Sequence, residues 1–398
     1  MHIVYISREY VPTQRGGGIA SYVKEMAVAM TRRGHRVTVI CASDDTRCQS
    51  DSVEEGIRVI RLRGGDFIIP SVEHTPLVQV KKLRMVYRFY SYRRRILKTV
   101  RQLKDVDIIE VPDYGAEGYF LAHLDIPVVV RLHTPAITDR VTGGVLHYPL
   151  SKCYLNWCGR KDIQTLRGFT NFSACSNSMK EWYNRCFPKI KGQWTVIYNP
   201  LNTDRWIDTT PCQYTPNTIL YVGTVVEAKG VGELVEACRQ LHDEGIPVQL
   251  TVAGKIGSYA EELQREVSER HLGGWCHFTG NLSREQLIPL YRSSMVICLP
   301  SYWENLPLVC LEAMAMGNVV IGSNSGGMAE IITDHEDGYL VTPKDVKGIK
   351  EAIAEALRMP PDEVGTMRTK ARHTVESRFS AHTILPQMER YYQQLCNK

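Results

Sequence analysis

Along the first half of the chain, short apolar runs alternate with longer amphipathic stretches. Residues 3–7, 37–41, 57–62, 108–111 and 128–132 are strand-length and apolar, and helix-length segments lie between them, notably 20–33 and the basic stretch 81–104. Strands separated by helical patterns predict a parallel sheet with crossover helices. Segments 173–178 and 196–200 read as the end of this unit. A second series begins at 219–223 and continues through 250–253, 277–280, 295–299, 319–322 and 338–341. The last segment, 384–395, is amphipathic, with Met388, Tyr391, Tyr392 and Leu395 on its apolar side. The pattern predicts an α/β chain with two successive parallel-sheet units, 1–205 and 206–379, followed by a helix over 380–398.

Composition agrees with this division. A chain of 398 residues, 43% of them hydrophobic, is long enough for two or three well-buried cores. No apolar run approaches the roughly 18 residues of a membrane span. The opening run Met1 to Ile6 is strand-length and broken by Arg8 and Glu9, unlike a signal peptide. Twelve cysteines without a Cys-x-x-Cys pair, and with His123, His133 and His147 not spaced alongside them, argue against zinc and against a disulfide framework. The expected compartment is the reducing cytoplasm.

Charge is unevenly placed. Residues 1–205 hold 31 Lys and Arg against 19 Asp and Glu, a net +12, and the remainder is −7. Two halves of opposite sign suggest domains facing a shared cleft. Much of the excess comes from ten basic residues between Lys81 and Lys104, interleaved with Tyr87, Phe89, Tyr90 and Tyr92. Such a helix suits an anionic membrane surface, at the inner face of a membrane; the alternative is a solvated charged helix whose aromatics enter the core. Nucleic acid is not expected as a partner, because no nucleic-acid module accompanies the charge.

The chemistry concentrates in residues 300–317, Pro-Ser-Tyr-Trp-Glu-Asn-Leu-Pro-Leu-Val-Cys-Leu-Glu-Ala-Met-Ala-Met-Gly. After the buried-looking run 295–299, Pro307 stands where a helix can begin and Gly317 where it can end. First-turn amides have no internal partner and sum to about half a positive charge, so this turn can hold a phosphate. Glu304 lies in the loop and Glu312 inside the helix, flanking that anion site. Surface acids are the plain alternative, but Glu312 sits among Leu311, Ala313, Met314 and Ala315.

Other candidates lie at strand ends, which face the crevice of an open parallel sheet. They are Asp113 and Tyr114 on the acceptor side, and His133 after residues 128–132; a lone histidine is otherwise commonly structural. The segment Arg15-Gly16-Gly17-Gly18 permits close backbone approach beside a helix start, yet its spacing is not Gly-x-Gly-x-x-Gly, so a dehydrogenase loop is disfavoured and a merely permissive loop stays open. Asp105-Val106-Asp107 reads as a strand-entry turn and not as a metal site.

The spacing of Glu304 and Glu312 and their neighbours resemble the Glu-x7-Glu motif of family-4 retaining glycosyltransferases of the GT-B fold, two Rossmann-like domains facing a central cleft. The resemblance implies that Glu304 holds the donor sugar and Glu312 the ribose, with Asn305, Leu306, Pro307, Leu308 and Val309 at the donor. It places Gly17 and Gly18 near the donor diphosphate and acceptor, His133 beside the sugar, and the strand ends at Gly254 and Leu282 around the base. Residues 223–230 resemble the family's diphosphate loop, with Lys229 in place but Thr224 where an arginine is usual. Arg15, counted with the acceptor-side residues, is the candidate to supply the missing cation. The family's last helix packs back on the first domain. The implied activity is metal-independent retaining transfer from a nucleotide sugar, a UDP-sugar foremost, to a glycan, glycolipid or small-molecule acceptor, without a cofactor. A nucleotide-sugar epimerase, a non-catalytic binding subunit and a membrane-surface adaptor are the alternatives.

Overall fold

The computed structural model describes residues 1–13, 17–45, 47–64, 78–139, 142, 144–147, 153–206 and 214–397. The first unit contains β1 (His2–Ile6), β2 (Arg36–Ala42), β3 (Ser50–Glu54), β4 (Ile57–Leu62), β5 (Ile108–Pro112), β6 (Val128–Leu132), the short pair β7 (Thr138–Asp139) and β8 (Gly144–Val145), β9 (Asn171–Ala174) and β10 (Gln193–Val196). Eight of these form a sheet in the order β10-β9-β6-β5-β1-β2-β4-β3. Every pairing in it is parallel except β3 with β4. Its helices are α1 (Gly18–Arg32), α2 (Val78–Gln102), α3 (Cys153–Leu166) and α4 (Asn177–Cys186).

Both faces of β1 are buried, as a parallel sheet covered by helices requires. Ile3 and Tyr5 pack with Tyr22, Val23 and Met26 of α1, whereas Val4 and Ile6 pack with Tyr92 and Ile96 of α2 and Trp182 of α4. Strand order reverses between β1 and β5, which opens a crevice at their C-terminal ends.

The second unit repeats the plan with β11 (Thr215–Val222), β12 (Gln249–Ala253), β13 (Cys276–Gly280), β14 (Ser294–Leu299), β15 (Val319–Ser323) and β16 (Tyr339–Val341), all parallel in the order β13-β12-β11-β14-β15-β16. Its helices are α5 (Val231–Asp243), α6 (Ser258–Glu269), α7 (Arg284–Ser293), α8 (Leu308–Ala315), α9 (Met328–Ile331), α10 (Val346–Arg358) and α11 (Pro361–Thr374). Its reversal lies between β11 and β14. The closing helix α12 (Ala381–Cys396) buries Ile384, Met388 and Tyr392 against β1 and α1 of the first unit. Tyr392 and Tyr22 both donate to the buried Glu110 carboxylate, at 2.6 and 3.0 Å.

Two features depart from the hydrophobic pattern. β3, Ser-Asp-Ser-Val-Glu, has no apolar run; it is held as an antiparallel edge by bidentate Arg58 to Asp51, at 3.0 and 2.7 Å, and by Arg61 to Glu54. Within α2, Arg93 is fully buried and is not a surface cation. It donates to the carbonyls of Ala116 and Phe89, each at 2.8 Å, and to Gly115, while its guanidinium lies over the Phe89 ring. Burial lowers its pKa to about 10. Met85, Phe89, Tyr92, Ile96 and Val100 share its inward face. Arg84, Arg94, Lys98 and Arg101 remain exposed, with Tyr87 at 71% exposure. Among the described residues no helix is long and apolar enough to cross a membrane.

Candidate active site

The two crevices face each other across one cavity of about 560 Å³. The first unit lines it with Glu9, Gly18, Tyr114, His133 and Thr134, and the second with Thr224, Lys229, Ser301, Glu304 and residues 305–309.

Close backbone packing fixes the second unit's wall. Gly230, at φ 68°, lies against the end of β14, where a Cβ would overlap the Pro300 carbonyl. That contact seats the 223–230 loop so that Lys229 reaches the Glu304 carboxylate, which also accepts from Ser301 Oγ at 3.0 Å. A second turn, Ser325-Gly326-Gly327, presses on the 304–305 loop. Cβ atoms at Gly326 and Gly327 would overlap the carbonyls of Glu304 and Asn305, and the Gly327 amide donates to the Glu304 carbonyl at 2.8 Å. Pro307 caps α8 with no side-chain hydrogen bond, and Leu308 and Val309 line the cavity. The anion-ready helix start therefore opens beside Lys229.

His133 follows β6. Its backbone amide donates to Asp113 Oδ1 at 3.0 Å, and Tyr183 donates to Asp113 Oδ2 at 2.7 Å. Burial, reinforced by Arg131, lowers the His133 pKa to about 3, so the ring facing the cavity is neutral. It stands in a T-shaped pair with Tyr22, ring centroids 4.8 Å apart. Asp113, a candidate for the acceptor side, is buried with both oxygens engaged and is absent from the cavity wall; burial raises its pKa to about 6. It orients His133. Tyr114 does line the cavity, with the Arg8 guanidinium 4.7 Å from its ring centroid.

The remaining candidates divide. Gly17 caps α1 and Gly18 lines the cavity, while Arg15 lies outside the described residues. Thr224 lines the wall, and Lys229 is the only Lys or Arg among the described lining residues. Glu312 borders an adjoining cavity of about 110 Å³ with Arg284, sharing Leu308 and Asn199 with the main one. Burial, partly offset by Arg284, raises its pKa to about 7. Gly254 and Leu282 are absent from both walls: Gly254 allows the Gly223 carbonyl to approach, and Leu282 packs on the second core. Asp107 accepts from the His2 amide at 2.6 Å, as a strand-entry residue does.

Sequence reasoning missed three residues here. Glu9, noticed only as the end of an apolar run, lines the cavity; its place after β1 was the available signal. Thr134 Oγ1 and the His133 carbonyl both accept from the Asn305 side-chain amide across the cleft. Glu330 spans the domains as well, and no pattern in the chain announces it.

Two facing Rossmann-like domains with their site between them define the GT-B class. The chain belongs to the family-4 (group 1) glycosyltransferases: residues 16–205 match the profile described as Glycosyltransferase Family 4, and residues 202–374 match Glycosyl transferases group 1. It is 26% identical to a glycogen synthase of Mycobacterium tuberculosis over 96% of this chain and 92% of that one. It is 24% identical to a D-inositol 3-phosphate glycosyltransferase of Corynebacterium aurimucosum over 98% and 96%. Among solved structures, sucrose-phosphate synthase from Thermosynechococcus elongatus superposes with a TM-score of 0.77 at 23% identity, covering 99% of this chain and 98% of that one. The Anabaena HepE structure in complex with UDP and glucose gives 0.72 at 17%, covering 99% and 100%.

Proposed function

We propose that this glycosyltransferase moves a hexosyl group from a nucleotide sugar, a UDP-sugar foremost, with retention and without metal or cofactor, to a glycan, glycolipid or small-molecule acceptor. The observation that carries the reading is Lys229 meeting Glu304 at the uncapped start of α8, inside a cleft closed by His133. When a donor enters, Lys229 and the first-turn amides of α8 take the leaving diphosphate, and Glu304 accepts from the sugar hydroxyls. Glu312 accepts from the ribose. His133, neutral, lines the far side of the sugar without placing a positive charge beside the one that develops there. The acceptor hydroxyl approaches past Tyr114 and Glu9. Preorganised charge at the leaving group supplies much of the acceleration, each such contact worth on the order of 10²-fold or more. UDP in the HepE complex supports the choice of donor base.

The test is a panel of UDP-, GDP- and ADP-sugars, with EDTA and without acceptor, read as nucleoside diphosphate release. Slow hydrolysis of one donor, lost in Glu304→Ala and indifferent to EDTA, is the expected result. Donor binding by the wild type with no release, both alone and with acceptor sugars added, would refute transfer. The exposed Arg94, Lys98 and Arg101 on α2 support attachment to an anionic membrane surface. Reversing these three charges should abolish binding to phosphatidylserine vesicles; unchanged binding would remove that part of the proposal.

A further inference from the structure

We infer that Glu330 is a positioning residue that latches the cleft shut and holds the Glu304–Asn305 loop against His133. Its carboxylate crosses from α9 of the second domain to the start of α4 in the first. Oε2 accepts from the Asn177 amide at 2.9 Å and from Asn177 Nδ2 at 3.0 Å; Oε1 accepts from the Ser178 amide at 2.7 Å and Ser178 Oγ at 2.8 Å. Ser176 Oγ takes the next amide, Met179, at 3.1 Å. The first three amides of α4 are thus satisfied, two of them by a residue of the other domain. A carboxylate at a helix N-terminus meets both orphan donors and the positive end of the macrodipole, so these are charge-assisted contacts.

The same side chain reaches the hinge. Tyr198 donates to Oε2 at 3.2 Å, and Arg378 donates to the Glu330 backbone carbonyl at 2.7 Å. These residues flank the two chain crossings between domains, which are joined by the Leu201 amide to the Phe379 carbonyl and the Ala381 amide to the Leu201 carbonyl, each at 2.8 Å.

Glu330 is coupled to the chemistry through backbone. Gly326 and Gly327, at the base of α9, pack without clearance on the carbonyls of Glu304 and Asn305, so the turn and the loop move together. From that one unit, Asn305 reaches His133 and Thr134 while Glu330 reaches α4. Releasing Glu330 leaves this unit tied to the first domain through the Asn305 contacts and through Trp303, whose ring lies 6.5 Å from that of Trp182. The donor contacts of Lys229, α8 and Glu312 all belong to the second domain, so donor affinity should survive opening, whereas alignment with His133 and the acceptor side should not. The kinetic part of this inference rests on the glycosyltransferase reading above.

The test compares wild type, Glu330→Gln and the opposite-side variants Ser178→Ala and Tyr198→Phe. Glutamine keeps the shape but turns an NH2 group toward donors. Small-angle scattering of Glu330→Gln with UDP should give a larger radius of gyration than wild type, with the opposite-side variants shifted the same way by less. UDP affinity should stay within about threefold while kcat falls on the order of tenfold or more, a split that a general loss of fold does not produce. Equal radii of gyration for wild type and Glu330→Gln would overturn the latch even if activity fell. Wider Glu330→Gln particles with unchanged kcat would overturn the positioning role. If the wild type turned over no donor, the functional reading would fail on its own, while scattering would still decide the latch.

Discussion

His133 is set by its surroundings more than by its type. Because burial places its folded pKa near 3, below the ordinary value, it stays unprotonated where the unfolded chain takes up a proton. Its stability contribution is present above about pH 6.5 and is lost as pH falls through that window, by up to about 1.4 kcal/mol per unit. Asp113 and the buried Glu117, which accepts from the Arg8 amide and neighbours Arg93, run the other way. Their pKa values, raised by burial to about 6 and about 7, give a contribution that is full below the ordinary carboxylate range and lost as pH rises through those values. Urea titrations of His133→Phe should therefore show a shallower loss between pH 6 and 4 (roughly the upper part of that window) than wild type; parallel curves would contradict the assignment. For Glu312, raised to about 7, protonation replaces a charged acceptor with a weaker neutral one, which the proposed ribose contact would feel. UDP affinity should weaken below pH 7 in the wild type, by up to about tenfold per unit, and vary less in Glu312→Gln. An identical pH dependence in both would place the ribose elsewhere. That Glu304, Lys229 and His133 line one cavity was legible because they sit at loop and strand-end positions, which open on the crevice. Asp113 was misplaced for a physical reason: strand-end position says that a carboxylate reaches the crevice, but not that the His133 amide at the end of the next strand and Tyr183 will consume both its oxygens.

At the scale of elements, the parallel strands and most helices were readable because both faces of each strand are buried and their apolar runs are nearly continuous. β3 was not, since ion pairs hold it. The basic helix α2 was legible as a helix and misread in part: ten positive residues conceal that one of them, Arg93, lies inward beneath the Gly115–Ala116 turn, whose φ values are 84° and 49°. Arg93→Met should cost about 3–5 kcal/mol in denaturant unfolding, because the turn carbonyls and Glu117 lose a buried partner, whereas Arg94→Ala at the surface should change stability by under about 0.5. Equal small effects would mean that the turn holds without the guanidinium. The Gly326–Gly327 turn is similarly demanding. Gly327→Ala must displace the Asn305 carbonyl, so kcat should fall on the order of 10²-fold with the fold retained by circular dichroism. Unaltered kcat would show that the loop tolerates the shift.

For the whole molecule, the opposite net charges of the two halves proved a fair guide to two domains around one cleft, while the contacts that close it could not be read from the chain. Glu330 and Ser178 are separated by 152 positions, and Asn305 and His133 by 172. Nothing in local periodicity brings such residues together. What does so is the paired reversal of strand order in two sheets, which sets the ends of β1, β5 and β6 opposite those of β11 and β14. The cation count of the cavity also belongs to this scale. With Thr224 on the wall, Lys229 is the only Lys or Arg among the described lining residues, so the proposed diphosphate site rests on it. Calorimetric titration of UDP, and of ADP and GDP beside it, into wild type and Lys229→Met puts this most directly. The account predicts that one diphosphate binds the wild type well ahead of its nucleoside monophosphate, and that Lys229→Met weakens the diphosphate by on the order of tenfold or more while leaving the monophosphate nearly unchanged. Equal affinity of wild type and Lys229→Met for every diphosphate would contradict a donor site at the start of α8.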